Sequence, residues 1–176
     1  MMINRDRFKN SPSYKNIEKD LAYLVTKIME NETLLKLLSL KENQERPLTQ
    51  QEKKEIMDKC IKIVPKIEVI DKEQPWSYIV IAFDNITPNE DNPEYRDKLL
   101  FFDVVCHFDT WNMGDFKLRP YQIVGELDKM FNKKALIDSF TMNFVGTSAL
   151  TVDNEIAGLI HTYLATYGTG RDKVDE

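Results

Sequence analysis

The sequence predicts an α+β fold: a mostly antiparallel sheet of about four strands, built as two hairpins with a helix between them, preceded by an N-terminal helical portion. Three observations predict it. Apolar residues recur at helical spacing through the first third of the chain. From Trp76 onward come long runs rich in β-branched and aromatic residues. One helix-period segment, opened by Arg119-Pro120, separates two pairs of such runs. The division falls near residue 70, so 1–70 reads as the helical portion and 71–176 as the α+β unit, packed together as one compact domain. A chain of 176 residues buries about 70% of its unfolded surface, so its core needs no disulfide or metal staple.

Each element has a local reason. Ser11-Pro12 is a helix start, and Ile17, Leu21, Leu24, Val25 and Ile28 form one apolar stripe beyond it. Asn31 is positioned to cap a short helix holding Leu34, Leu35, Leu37, Leu38 and Leu40. Residues 41–47 are polar and read as a loop. Thr49-Gln50-Gln51-Glu52 is a capping box, and the helix behind it, with Ile56, Met57, Cys60, Ile61 and Val64, is expected to stop near Pro65. Trp76–Ile86 reads as a strand, residues 87–94 (TPNEDNPE) as an acidic loop, and Lys98–Asp109 as a second strand. On that strand Leu100, Phe102, Val104, Cys106 and Phe108 share one face, and Leu99, Phe101, Asp103, Val105, His107 and Asp109 share the other. The helix after Arg119-Pro120 carries Ile123, Leu127, Met130 and Phe131 on one side. Phe140–Leu150 and Ile156–Tyr167 read as the second hairpin, with a bend at Gly146 and a polar tail from Gly168.

Composition narrows the function. Hydrophobic residues are 42% and charged residues 30%, which argues against wholesale disorder. The net charge is −5, and its distribution is uneven. Residues 1–75 carry 15 basic and 13 acidic side chains, a net of +2; residues 76–176 carry 9 and 16, a net of −7. A broad nucleic-acid footprint is basic, and this chain is not. Cys60 and Cys106 lie in apolar runs and read as buried free thiols. No apolar run reaches the ~20 residues of a membrane span. No apolar stretch follows the charged N-terminus, so no secretory signal is predicted and the expected place of action is the cytosol.

The enzyme signatures are missing. The six glycines form no phosphate loop or dinucleotide fingerprint, and there is no nucleophile elbow or His-Glu-x-x-His pair. His107 beside Asp109 has the chemistry of a general base oriented by a carboxylate, but with no nucleophile or oxyanion donor in sight it reads better as a surface or interface histidine. Asp103, His107 and Asp109 spread over about 20 Å of strand and cannot close a metal site. Glu90, Asp91 and Glu94 lack the spacing of a calcium loop and read as a solvated tip that orders against a partner or not at all. No catalytic residue, cofactor or metal ligand is therefore predicted. Trp111, Met113, Phe116 and Tyr121 cluster around a connection, either as a small core under the loop or as a contact patch. Both faces of the second strand are apolar, so the face of Phe101 needs a cover, from the N-terminal helices or from a neighbouring copy. The candidate interface residues are thus Glu90, Asp91, Glu94, Tyr95, Phe101, Trp111, Met113, Phe116 and Tyr121.

The order of these elements resembles the tail terminator, or tail-to-head joining, proteins of long-tailed bacteriophages. The resemblance covers roughly residues 76–167 and rests on the run Leu99–Asp109 with its polar stop, the short connection into the helix Arg119–Phe131, and the hairpin that follows. It implies a small α+β subunit, without catalytic residues, that assembles as a hexameric ring, caps the tail tube and forms the junction to the capsid neck. The implied partners are other copies of the chain, the tail tube protein and a neck or head-completion protein, with genomic DNA passing through unbound and no membrane involved. The implied location is the virion, after assembly in the host cytoplasm. The long helical portion departs from the common pattern, which keeps open another neck or head-completion protein. A cytosolic protein-binding adaptor with a ferredoxin-like sheet is the alternative from a different class, and an enzyme using His107 and Asp109 is the third reading. An acidic residue 76–176 unit suits a lumen along which DNA slides without adhering.

Overall fold

The computed structural model describes residues 15–63, 74–91, 95–134 and 140–168. The Ser11-Pro12 helix start, Val64, Pro65, Glu94 and the tail beyond Gly168 lie outside them. The fold is α+β with a mostly antiparallel sheet, as the sequence predicts.

Helix α1 spans Lys15–Glu30 and buries Leu24 and Ile28 from its apolar stripe. Asn31 caps α2, Glu32–Leu38: its Oδ1 accepts from the Leu34 N–H at 3.0 Å. Leu40, expected inside that helix, sits beyond it at φ 59°, where the chain reverses. Helix α3, Gln50–Cys60, opens on the predicted capping box, with Glu52 N–H donating to Thr49 Oγ1 and Thr49 N–H to Glu52 Oε2. Arg46 and then Lys41 hydrogen-bond the same Glu52 carboxylate and hold its pKa far below the usual range.

Helix α3 stops at Cys60, short of Pro65. Ile61–Lys62 form β1, which pairs parallel with Ile79–Val80. The helical spacing of Ile61 is real, but a β-branched residue beside an open strand edge gains more from the ladder. Strand β2 is Tyr78–Pro88 and β3 is Tyr95–His107. The hairpin is longer than expected at its tip, because Thr87 and Pro88 pair with Asp97 and Arg96. It is shorter at its base, because Phe108–Thr110 turn as a 3₁₀ helix. That turn removes Phe108 and Asp109 from the strand faces assigned to them, and Phe108 is exposed.

Helix α4, Arg119–Phe131, buries Ile123, Leu127 and Phe131, and the strands β4, Phe140–Thr151, and β5, Ile156–Gly168, form the second hairpin. The predicted bend is a register shift between Phe144 and Gly146. The five strands run in the order β1-β2-β3-β5-β4.

The helices cover one face of this sheet. Phe131 of α4 stacks on Phe102 at 5.4 Å, and Tyr163 meets the Phe102 ring edge-on at 6.0 Å. The Leu38 carbonyl of α2 accepts from the Ser77 N–H. Asp20 of α1 couples electrostatically to Lys98, whose side chain is buried on the same face as Leu100 and Phe102. On the opposite face Val80 and Val105 are buried, whereas Leu99, Phe101, Asp103, Ile160 and Leu164 are half-buried. Burial pushes the Asp103 carboxyl pKa up on that face.

Candidate interaction surface

The connection between β3 and α4 is a built structure. His107 Nδ1 accepts from the Asp109 N–H at 3.2 Å, and Thr110 Oγ1 donates to the His107 carbonyl at 2.8 Å, which starts the 3₁₀ turn. Asn112 bridges to Leu118, Met113 N–H donates to the Lys117 carbonyl, and Lys117 N–H donates to the Gly114 carbonyl. The tip between them holds three successive left-handed residues, Gly114, Asp115 and Phe116, at φ 86°, 50° and 61°. Glycine adopts this readily; an aromatic residue does so at a cost of order 1–3 kcal/mol. The result is that Phe116 stands clear of the protein, 106% exposed. Leu118 and Tyr121 are exposed beside it, and Asn112, Gly114, Asp115, Phe116 and Leu118 line a shallow open hollow.

Arg119 fixes the base of this loop. Its guanidinium is buried and donates to the Thr110 and Leu37 carbonyls, each at 2.8 Å, and forks onto Glu42 at 2.6 and 3.1 Å. Burial is the largest influence on the Glu42 pKa and works to raise it, but the Arg119 hydrogen bonds, a backbone hydrogen bond and the Arg119 charge together bring the net direction down. The sequence marks Arg119 only as a helix start; nothing local signals its partners, which lie 77 and 82 positions earlier. Trp111 and Met113 are half-buried and pack on the core, with Trp111 also against Phe108 at 5.6 Å. The cluster divides by residue: Trp111 and Met113 pack in a small core under the loop, and Phe116 and Tyr121 face outward.

The remaining candidates lie elsewhere. Glu90 and Asp91 are exposed at the β2–β3 tip, where Asn89 Oδ1 accepts from the Asp91 N–H. Tyr95 begins β3 opposite Gly168. Phe101 lies mid-strand, half-buried on the face opposite Phe102. Since β3 has 13 residues, the acidic tip and the Phe116 loop are about 40 Å apart and form two surfaces rather than one.

His107 caps the turn: Nδ1 accepts from the Asp109 N–H, and the exposed Asp109 carboxylate lies 3.5 Å from the same nitrogen. Among the described residues, no group of three His, Cys, Asp or Glu is placed to hold a metal ion. Burial pushes the Cys60 and Cys106 thiols up to about 12, which favours the protonated thiol near neutral pH.

The other histidine was not singled out by the sequence, yet it organises the second hairpin. Tyr163 OH donates to Asp128 Oδ1 at 3.2 Å, so it accepts from His161 Nε2–H at 2.7 Å, which leaves Nδ1 to accept from Thr147 Oγ1–H at 2.7 Å. This order suits one neutral tautomer and ties β4, β5 and α4 together. Burial lowers the His161 pKa, and the Asp128 carboxylate only partly offsets it. Its signal in sequence is weak: alternate positions 161 and 163 on a strand, opposite a threonine.

The YomW family model matches residues 31–163, from the α2 cap through most of β5. No curated protein matches the chain. The family's name is phage-derived and points loosely to a phage protein, without singling out the tail terminators. The match takes in the Arg119 clamp, the Phe116 loop and both hairpins, and on that span the chain belongs to the YomW family.

Proposed function

We propose that this chain is a structural virion protein of a long-tailed phage that caps the tail tube and joins it to the capsid neck as a homo-oligomeric ring. The observation that carries the reading is the loop at residues 108–118: a fully exposed phenylalanine on a left-handed tip, anchored by a buried arginine to a helix on another part of the chain. Such an aromatic anchor on a rigid mount suits insertion into a neighbour's pocket, since preorganised anchors contribute most to interfaces. The half-buried apolar face of Phe101 supplies a second contact, and the phage-derived family name agrees with a virion role. The protein works by contact and not by catalysis. Its partners are other copies of itself, the tail tube protein and a neck or head-completion protein, and DNA slides past an acidic lumen.

Immunogold electron microscopy of virions tests the location. Label at the head–tail junction is expected; label on the capsid shell or the distal tail, or none, refutes the reading. Phe116→Ser should leave the fold intact and abolish head–tail joining, since the side chain touches solvent alone in the free chain. Wild-type joining by that variant would remove the loop from the mechanism.

A further inference from the structure

We propose that β4 is a self-association edge that pairs antiparallel with β4 of a second copy across a two-fold axis. The inference does not rest on the neck reading.

Strand β4 closes one side of the sheet. Its 12 residues, FTMNFVGTSALT, include no charged residue and no proline. Natural sheet edges are guarded by charge, proline, short length or bulges, because an open row of N–H and C=O groups recruits another strand. Here the guards among the described residues sit at one end, where Lys133 and Lys134 bond the Met142 backbone and a register shift falls between Phe144 and Gly146; pairing with β5 then runs unbroken from Gly146 to Thr151. Phe144 and Val145 are 48% and 56% exposed, and Asn143, Thr147, Ser148 and Ala149 are exposed with them. The strand is also held in place: Thr147 bonds His161 and the Phe144 ring stacks on that imidazole at 5.2 Å. A preformed edge loses little entropy when it pairs.

The occupant follows from the chain's other edge. Strand β1 covers Ile79 and Val80 of β2, and beyond them come an exposed Asp84, a register shift before Thr87, and Pro88. That edge is guarded. Lys133 and Lys134 bond the Met142 carbonyl and N–H at the start of β4, so among the described residues its open edge runs from Asn143 to Thr151. In a molecule of net charge −5, an uncharged segment also lets two copies meet without placing like charges across the axis.

Light scattering and amide hydrogen exchange on the full chain test this. A mass of twice 20.6 kDa, or an even multiple, is expected, with β4 amides that become protected as concentration rises. Ser148→Lys and Val145→Lys each place a lysine on the pairing edge of both copies and should raise the dissociation constant roughly tenfold or more, with unchanged circular dichroism. A monomer at all concentrations, an assembly indifferent to both substitutions, or β4 amides that exchange freely within an assembly would each overturn the proposal. Protection of β4 only in the presence of a different protein would overturn it too, in favour of a foreign strand. Rings that persist unchanged in Ser148→Lys would sink this inference while leaving the neck reading standing.

Discussion

Replacing Gly158 with alanine should cost far more than the methyl group suggests. Gly158 faces Val105 in the central β3–β5 pair. A Cβ there would lie 1.7 Å from the Val104 carbonyl oxygen, 2.8 Å from its carbon and 3.1 Å from the Val105 Cα. Real Cβ contacts essentially never fall under 3.0 Å, so the strands must part by about 1.3 Å. All three atoms are backbone, and no rotamer change relieves the clash. Ladder bonds of about 2.9 Å would stretch past 4 Å, outside hydrogen-bonding range. Losing two of them, with buried groups left unpaired at ~1–3 kcal/mol each, gives about 3–5 kcal/mol. Gly125 is the control. It lies inside α4 with nothing within 4 Å of its virtual Cβ, so alanine there should stabilise by about 0.5–1 kcal/mol through helix propensity. Urea unfolding followed by circular dichroism, with equal m-values, measures both. A Gly158→Ala protein within about 1 kcal/mol of wild type would refute the register drawn between β3 and β5.

Other perturbations probe the clamp and the polar chain. Arg119→Met keeps the stem but removes every donor to Thr110, Leu37 and Glu42; we expect a loss of about 3–5 kcal/mol and a Glu42 pKa that rises, read by urea unfolding and carboxyl NMR. An unchanged midpoint would mean the clamp is ornamental. For His161, whose folded pKa lies below the unfolded value of about 6.5, stability is full above that pH and falls as the pH drops through it, because only the unfolded chain takes up the proton. The slope is at most about 1.4 kcal/mol per pH unit, and it should vanish in His161→Gln. A slope that persists in that variant would assign the acid sensitivity elsewhere.

What the sequence reveals here is what lies close along the chain. The capping box at Thr49-Glu52, the Asn31 cap, the stripe of α1, the bend at Gly146 and the strand identity of Ile156–Gly168 are all local chemistry, and all are present. What fails is settled by distant partners. Ile61 is a strand residue because Ile79 lies beside it, and no window around Ile61 contains that information. Phe108 leaves its assigned face because its N–H donates to the distant Glu155 carbonyl while His107 Nδ1 takes the Asp109 N–H and starts the turn. The candidate surface shows the same limit. The cluster of aromatic residues near Phe116 is visible in the sequence, but the separation of Trp111 and Met113 from Phe116 and Tyr121 depends on a left-handed tip and on Arg119 reaching Leu37 and Glu42.

Those long-range links also say which helices belong to the sheet. Asn31, where the family match begins, caps α2 with its Oδ1 and donates through Nδ2 to Glu126 and to the Met130 sulfur near the far end of α4. Leu37 and Glu42 hold Arg119 at the near end. Helix α2 is thus tied to α4 at both ends, and the loop before α4 inherits its position from α2. Helix α1 is attached differently. Besides Leu24 and Ile28, it contributes Asp20, whose charge partly offsets the burial that lowers the Lys98 pKa. A chain beginning at Asn31 lacks that carboxylate. We therefore expect Lys98→Met to differ in size between two backgrounds. In the full chain it removes the cation beside Asp20, itself 7% exposed, and should destabilise by roughly 3 kcal/mol. In the chain from Asn31 onward there is no Asp20 to leave behind, and the loss should shrink to about 1 kcal/mol or less. Urea midpoints of the four proteins decide it: an equal loss in both backgrounds would show that Asp20 is not what keeps a charged lysine inside this core.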